Sequence, residues 1–200
     1  MQNKYAYWIF RNAISEEAMG KIKEIASQSE YKVATTDDGE DNKKARSSNV
    51  SWSSDQYLYE VFSRFVYDAN ESSGWKYDID YFEAIQIATY EKNQYYSWHD
   101  DGLGDHSGVY GTDVPDDNYT GKVRKLSLVA CVSNGYVGGD LELSIQTRNR
   151  EQNIFNETLY PEMKYGDVIV FPSYIFHRST PVTEGTKHSV AMWCLGAPFK

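Results

Sequence analysis

DVIVFPSYIFHRSTPVTEGTKHSVAMWCLG, residues 167–196, sets two apolar runs of strand length around one polar turn. DVIVFP and HSVAMWCLG are rich in β-branched and aromatic residues, the composition of buried strands. Pro181 and Gly185 supply the backbone restraints of a turn between them, which predicts that the second strand folds back beside the first. His177 then lies just beyond the first strand, and Lys187 opens the second, ten residues later. This spacing lets Lys187 enter a cavity whose rim carries His177. A lone ammonium in an apolar, aromatic pocket costs several kcal/mol unless an anion meets it, so a small dicarboxylate is a fitting ligand.

Working outward, the chain reads as short strands back to about Asp78: YFEAIQIATY, YYSWH, KLSLVACV, DLELSI and ETLY, separated by Gly, Asn, Asp or Pro. The first part reads differently. Tyr5 to Phe10 predicts a short strand, and Ser15 followed by Glu16 and Glu17 predicts an N-capped helix to about Ser29, with Met19, Ile22, Ile25 and Ala26 on one face. A short strand around Asn49 to Trp52 precedes a second helix from about Ser54 to Asn70, whose Leu58, Val61, Phe62, Phe65 and Val66 recur at helical spacing. Helices first and strands after predict one α+β domain over residues 1–200, with helical support in about 1–75 and a β core in about 78–197. The helices would buttress one face of a sandwich or small barrel. The polar stretch TTDDGEDNKK within residues 33–45 reads as a mobile loop, and residues 100–121, with six Asp and no Lys or Arg, read as a surface excursion.

Composition narrows the function classes. The 200 residues are 40% hydrophobic and 24% charged, enough for a real core and outside the range of collagen, coiled coil or wholesale disorder. A formal charge of −9, from 29 acidic against 20 basic residues, argues against nucleic acid or an anionic membrane surface as partner. No stretch approaches a membrane span or a targeting segment. Cys131 and Cys194 lie in apolar strand-like runs and read as buried reduced thiols, which suits a cytoplasmic protein. Seventeen tyrosines raise the aromatic share to 15%, a bias towards strands and amphipathic pocket walls.

Four histidines are present, His99, His106, His177 and His188. His99 and Asp101 are two apart, so on a strand they present an imidazole and a carboxylate on one face, with Asp100 on the other. A third ligand from a distant strand completes the two-histidine, one-carboxylate triad of non-haem Fe(II) sites. His177 is the candidate. His188 faces away from Lys187 by alternation, and His106 sits in the acidic loop, where a calcium site would lack the EF-hand spacing. Trp193 reads as packing at the back of the pocket, and Arg124 and Arg178 either touch substrate or cap neighbouring carbonyls.

The linked set YEKNQYYSWHDD at 90–101, GGDL at 138–141, GDVIVFPS at 166–173, His177 and Lys187 closely resembles the 2-oxoglutarate and Fe(II)-dependent oxygenases, most of all their prolyl 4-hydroxylase-type branch. The resemblance runs from about Arg46 onward. It implies a double-stranded β-helix (jelly roll), with His99, Asp101 and His177 as iron ligands, Lys187 pairing with the distal carboxylate of 2-oxoglutarate, and Tyr90 hydrogen-bonding in the same pocket. It further implies O2 as oxidant, release of succinate and CO2, ascorbate as a rescuing reductant, and a peptide or protein substrate hydroxylated at a prolyl residue. ARSSNVSW, residues 46–52 with the preceding alanine, resembles the strand after the family's substrate loop, which makes residues 33–45 a flap. Asn93, Asp140 and Cys131 depart from the family's usual Gly, Glu and Tyr. Rival readings are a hydroxylase of a free amino acid or small metabolite, and a metal-binding jelly-roll sensor that performs no oxygenation.

Overall fold

Two periodicities divide the chain between helices and sheets, and their apolar faces meet in layers. The computed structural model describes residues 5–34, 45–102, 109–112, 116–148 and 153–199. In chain order the first half holds β1 (Trp8–Phe10), α1 (Glu16–Gln28), β2 (Lys32–Val33), β3 (Arg46–Ser47), β4 (Asn49–Ser53), α2 (Gln56–Ser72), β5 (Tyr81–Phe82), β6 (Ile85–Tyr90) and β7 (Tyr95–His99). Then come β8 (Val123–Cys131), β9 (Val137–Gly138), β10 (Leu141–Arg148), β11 (Ile154–Leu159), β12 (Val168–Pro172), β13 (Phe176–Ser179), β14 (Val182–Glu184) and β15 (Lys187–Gly196).

Ser15 caps α1 by accepting from the Ala18 amide, and Asp55 caps α2 by accepting from the Tyr57 amide. Each cap contributes about 1 kcal/mol. The apolar stripes contribute more: Met19, Ile22, Leu58 and Phe62 are fully buried, each worth about 1.5–3 kcal/mol. They pack on Ile85, Ile87, Leu126, Leu128, Val168, Val170, Val190 and Met192, one face of an antiparallel sheet ordered β1-β12-β8-β15-β6-β4-β2, with β5 also pairing β15. Alternation turns Ile169 and Phe171 of β12 the other way, where they pack with Leu141, Leu143 and Ile175. That second core fills the space before a smaller sheet, β11-β10-β13-β7-β3. Two facing sheets with helices on the outside of the larger one form the jelly roll, and the α+β class stands.

The expected hairpin between DVIVFP and HSVAMWCLG is not formed. Strand β8 lies between β12 and β15 and pairs with both, Ala130 facing Val168 on one side and Val190 on the other. The physical reason is the connection, which is no simple turn: β13 crosses to the smaller sheet and β14 pairs β9 before β15 begins. The run YFEAIQIATY also divides, at Glu83 and Ala84, where the Glu83 amide donates to the Trp193 carbonyl and its carboxylate turns inward. Both cysteines are free and buried. No helix among the described residues is long and apolar enough to cross a membrane.

Candidate functional site

His99 ends β7 and His177 is the second residue of β13, and the two strands pair so that these residues stand directly opposite. Cross-strand partners sit about 4.5–5.5 Å apart at Cβ, and here the ring centroids are 4.1 Å apart. Each ring is fixed by the carbonyl two residues before it, since Nδ1 of His99 lies 2.8 Å from the Ser97 carbonyl and Nδ1 of His177 lies 2.9 Å from the Ile175 carbonyl. A carbonyl only accepts, so Nδ1 carries the proton and Nε2 keeps its lone pair in both rings. Those Nε2 atoms face Asp101, at 3.8 Å from Oδ1 for His99 and 3.5 Å from Oδ2 for His177. The three ligand atoms lie within 4.8 Å of one another.

Asp101 reaches this position by a different route from the strand alternation that pointed to it. β7 stops at His99, and the Asp101 amide donates to the Ser173 carbonyl at 2.8 Å, beyond the ladder. Its Oδ2 accepts from Ser127 Oγ at 2.7 Å, and Ser127 Oγ is 2.9 Å from Ser173 Oγ. Burial pushes the Asp101 carboxyl up, but His177, His99 and Arg124 outweigh it and hold the group below the usual carboxylate range. Burial, followed by the neighbouring His177, pushes the His99 imidazole well down. A neutral imidazole beside an ionised carboxylate, with aligned Nε2 atoms and carbonyl partners behind the rings, is the donor set that Fe(II) takes. His188 lies on the other face, 3.1 Å from Thr89 Oγ1. His106 and most of the loop expected at 33–45 fall outside the described residues, as does part of the acidic excursion.

The three ligand atoms open onto a cavity whose walls include Tyr90, Leu141, Ser179, Lys187, Ser189 and Trp193. Lys187 is 7% exposed and donates to the Gly139 carbonyl at 2.6 Å and Ser179 Oγ at 3.0 Å. Both partners are neutral, and the Tyr90 ring, opposite Lys187 in the register, lies 5.2 Å from Nζ. Tyr90 therefore meets the lysine through its face. The paired glycines of the GGDL motif make room for this arrangement: both have positive φ, a Cβ on Gly138 would stand 2.4 Å from the Pro181 carbonyl oxygen, and one on Gly139 would stand 3.0 Å from Lys187 Cδ.

Arg46 and Arg178 line the cavity, and Arg124 stands behind its Trp193 wall. Arg124 clamps Glu83 through Nε and Nη2, both at 2.6 Å, and its Nη1 reaches the Asp101 carbonyl at 3.4 Å. Arg178 pairs with Glu142 at 2.8 Å. Arg124 thus caps the Asp101 carbonyl while held by a buried carboxylate, and its guanidinium lies 4.5 Å from the Trp193 ring centre. The Glu83→Ala protein is expected to lose about 3 kcal/mol of stability, at the low end for a broken buried pair because the Arg124 side chain remains 21% exposed. That corresponds to roughly 10 °C in Tm for a chain of this size, and thermal unfolding of the two proteins with an unchanged Tm would show that the clamp carries no such load. Arg46 is the third arginine, and sequence reasoning assigned it no role. Its signal was its place at the head of ARSSNVSW. Ser127, in β8, and Ser173, in the turn after β12, were also missed, because a serine carries no mark in sequence of the carboxylate it supports.

A model of the 2OG-Fe(II) oxygenase superfamily matches residues 85–195, more than half of the chain and the whole span from β6 to β15. This chain belongs to that superfamily. Among solved structures, a viral collagen prolyl hydroxylase from Paramecium Bursaria Chlorella virus-1, in complex with 2OG, is similar at TM-score 0.63 and 18% identity over 97% of this chain and 98% of that one. A Pseudomonas putida prolyl-4-hydroxylase follows at TM-score 0.63 and 15% identity over 96% and 93% of the two chains. A Trichoplax adhaerens prolyl hydroxylase in complex with a hypoxia inducible factor peptide fragment reaches TM-score 0.66 at 12% identity over 96% and 84%. At these identities the likeness is one of fold. No curated protein matches this chain in sequence. The superfamily implies Fe(II), 2-oxoglutarate and O2, and the donor set and the lysine-bearing cavity of this oxygenase fit the first two.

Proposed function

We propose that this oxygenase hydroxylates a prolyl residue of a peptide or protein, with His99, Asp101 and His177 as iron ligands and with Lys187 and Tyr90 at the distal end of the 2-oxoglutarate pocket. The observation that carries this reading is the common cavity: two Nε2 lone pairs and a carboxylate at one end, and a buried ammonium with only neutral partners at the other. When bound, Fe(II) and 2-oxoglutarate supply oxidation of a C–H bond by O2, with succinate and CO2 released. The chain's own residues bind, orient and enclose. Ser127 and Ser173 hold Asp101 in place, the carbonyls of Ser97 and Ile175 hold the imidazole tautomers, and Lys187 receives a carboxylate. Leu141, Val129, Ala191 and Trp193 line the walls and keep water scarce around the reacting atoms.

The prolyl assignment draws on the shared fold of the three prolyl hydroxylases, one of them bound to a peptide. Ascorbate fits the same reading as the reductant that returns the metal to the ferrous state. Mass spectrometry of prolyl peptides incubated with Fe(II), 2-oxoglutarate and O2 tests the proposal. A gain of one oxygen on proline, absent without 2-oxoglutarate, is the expected result, whereas succinate release driven by other substrates and by no prolyl peptide would overturn the prolyl assignment.

A pH dependence follows from Lys187. Burial pushes its ammonium down from the ordinary lysine value to about 8, against weaker opposing effects of Cys131 and Asp140. The lowered group is charged below pH 8 and loses its proton as pH rises through that value. A carboxylate needs the ammonium, so 2-oxoglutarate affinity should be flat from pH 6.5 to 7.5 and then fall towards tenfold for each further pH unit, the limit for one linked proton. Equilibrium titrations at pH 7 and pH 9.5 check this, and equal affinities would contradict it.

A further inference from the structure

Arg46 lies in the first turn of chain after the polar stretch, on β3, and points its guanidinium into the same cavity as the three candidate ligands. It is 8% exposed. Its Nε donates to Ser48 Oγ at 2.8 Å and its Nη2 to Gln86 Oε1 at 2.7 Å, both neutral acceptors. Arg124 and Arg178 each have a glutamate, while no carboxylate lies within ion-pair distance of Arg46 among the described residues. The guanidinium lies 4.4 Å from the Tyr96 ring centre, and Tyr96 in turn stacks on His99 with centroids 3.5 Å apart and planes 14° apart. Arg46 therefore lies over a ring that itself stacks on a candidate metal ligand.

Charge accounting around the cavity gives this arginine its meaning. Asp101 is the only carboxylate among the described lining residues, against Lys187, Arg46 and Arg178, and Arg178 is already neutralised by Glu142. A ferrous ion and a 2-oxoglutarate dianion cancel one another, so loading the site leaves one positive charge unmet. An unpaired buried cation is costly, and a guanidinium has five N–H donors in a fork that suits a carboxylate, more than the two neutral acceptors here use. We infer that the substrate of this oxygenase carries a carboxylate, received by Arg46 beside His99, so that the enzyme selects acidic substrates over their neutral counterparts. The inference rests on the oxygenase reading of the cavity and adds to it the charge of the substrate. The carboxylate belongs either to a small imino acid or to an acidic side chain near proline in a peptide.

Calorimetry on the anaerobic Fe(II) and 2-oxoglutarate complex tests this without turnover. One pair of probes is N-acetylproline and N-acetylprolinamide; the other is a blocked peptide containing Glu-Pro-Gly and the same peptide with Gln for Glu. The expected result is a preference of at least about 30-fold for the acid in one pair, and the pair that shows it names the source of the carboxylate. In Arg46→Gln the preference should collapse to within about threefold, and Arg46→Lys should restore part of it. Equal binding of acid and neutral probes in both pairs would overturn the inference, as would a preference that survives Arg46→Gln, which would assign it to Lys187. Repeating the acid and amide titrations on the metal-free protein separates the two readings: failure to bind 2-oxoglutarate with the Arg46-dependent preference intact removes the co-substrate and leaves the carboxylate site standing.

Discussion

Lys187→Ala is expected to weaken 2-oxoglutarate binding by about two orders of magnitude or more, with iron still bound. Truncating one member of a desolvated charge pair costs about 2–5 kcal/mol, much of it from the carboxylate left without a partner. Here the loss is concentrated, because the other groups around Nζ are the Gly139 carbonyl, the Ser179 hydroxyl and the Tyr90 ring face, none of which carries positive charge. The substitution also removes the two donors that Gly139 and Ser179 accept, so Lys187→Met, which keeps the apolar stem, separates lost charge from lost packing. Both variants should bind 2-oxoglutarate weakly while unfolding close to the parent temperature. Titration of 2-oxoglutarate into the ferrous protein reads the effect, and an affinity within threefold of the parent would show that the distal carboxylate is received elsewhere in the cavity.

Asp101→Ala is expected to lower Fe(II) affinity by about 10²-fold or more, the share of one ligand when the 10–16 kcal/mol of a four-ligand metal site is divided among its donors. The same change leaves Ser127 Oγ with Ser173 Oγ and no carboxylate, and leaves two Nε2 atoms facing a gap. Ser127→Ala offers a graded comparison. It keeps the ligand and removes a group that orients it, for which a 10- to 100-fold loss is the usual scale. Competition against a chelator of known affinity measures both, and full Fe(II) affinity in Asp101→Ala would take the carboxylate out of the metal centre.

Much of this arrangement is legible in the residues, for physical reasons that differ from one element to the next. The two helices are readable because Ser15 caps the first and the apolar residues of both recur at helical spacing, and both stripes pack on the larger sheet; the Asp55 cap of the second was not read. His99 and His177 are readable because histidine is scarce and each stands at a strand edge. Asp101 was reached through alternation along β7, although the strand ends one residue after Trp98 and a bond to Ser173 places the carboxylate. The pairing of β12 with β15 was misread because local turn residues carry no information about a strand from elsewhere in the chain. β8 slots between them through long-range pairing. Arg46 went unassigned for a similar reason. Its significance depends on which carboxylates are near it, and the counterions of Arg124 and Arg178 lie 41 and 36 residues away along the chain.

Iron held by His99, Asp101 and His177 in one cavity with 2-oxoglutarate anchored at Lys187 can be read by titrating the protein anaerobically with Fe(II) and 2-oxoglutarate, following the visible charge-transfer absorbance, then admitting O2 and measuring succinate. A chromophore at one equivalent of each component and succinate after O2, both lost in His177→Ala, are the expected result. Iron binding with neither chromophore nor succinate would contradict it and leave a metal site without a co-substrate.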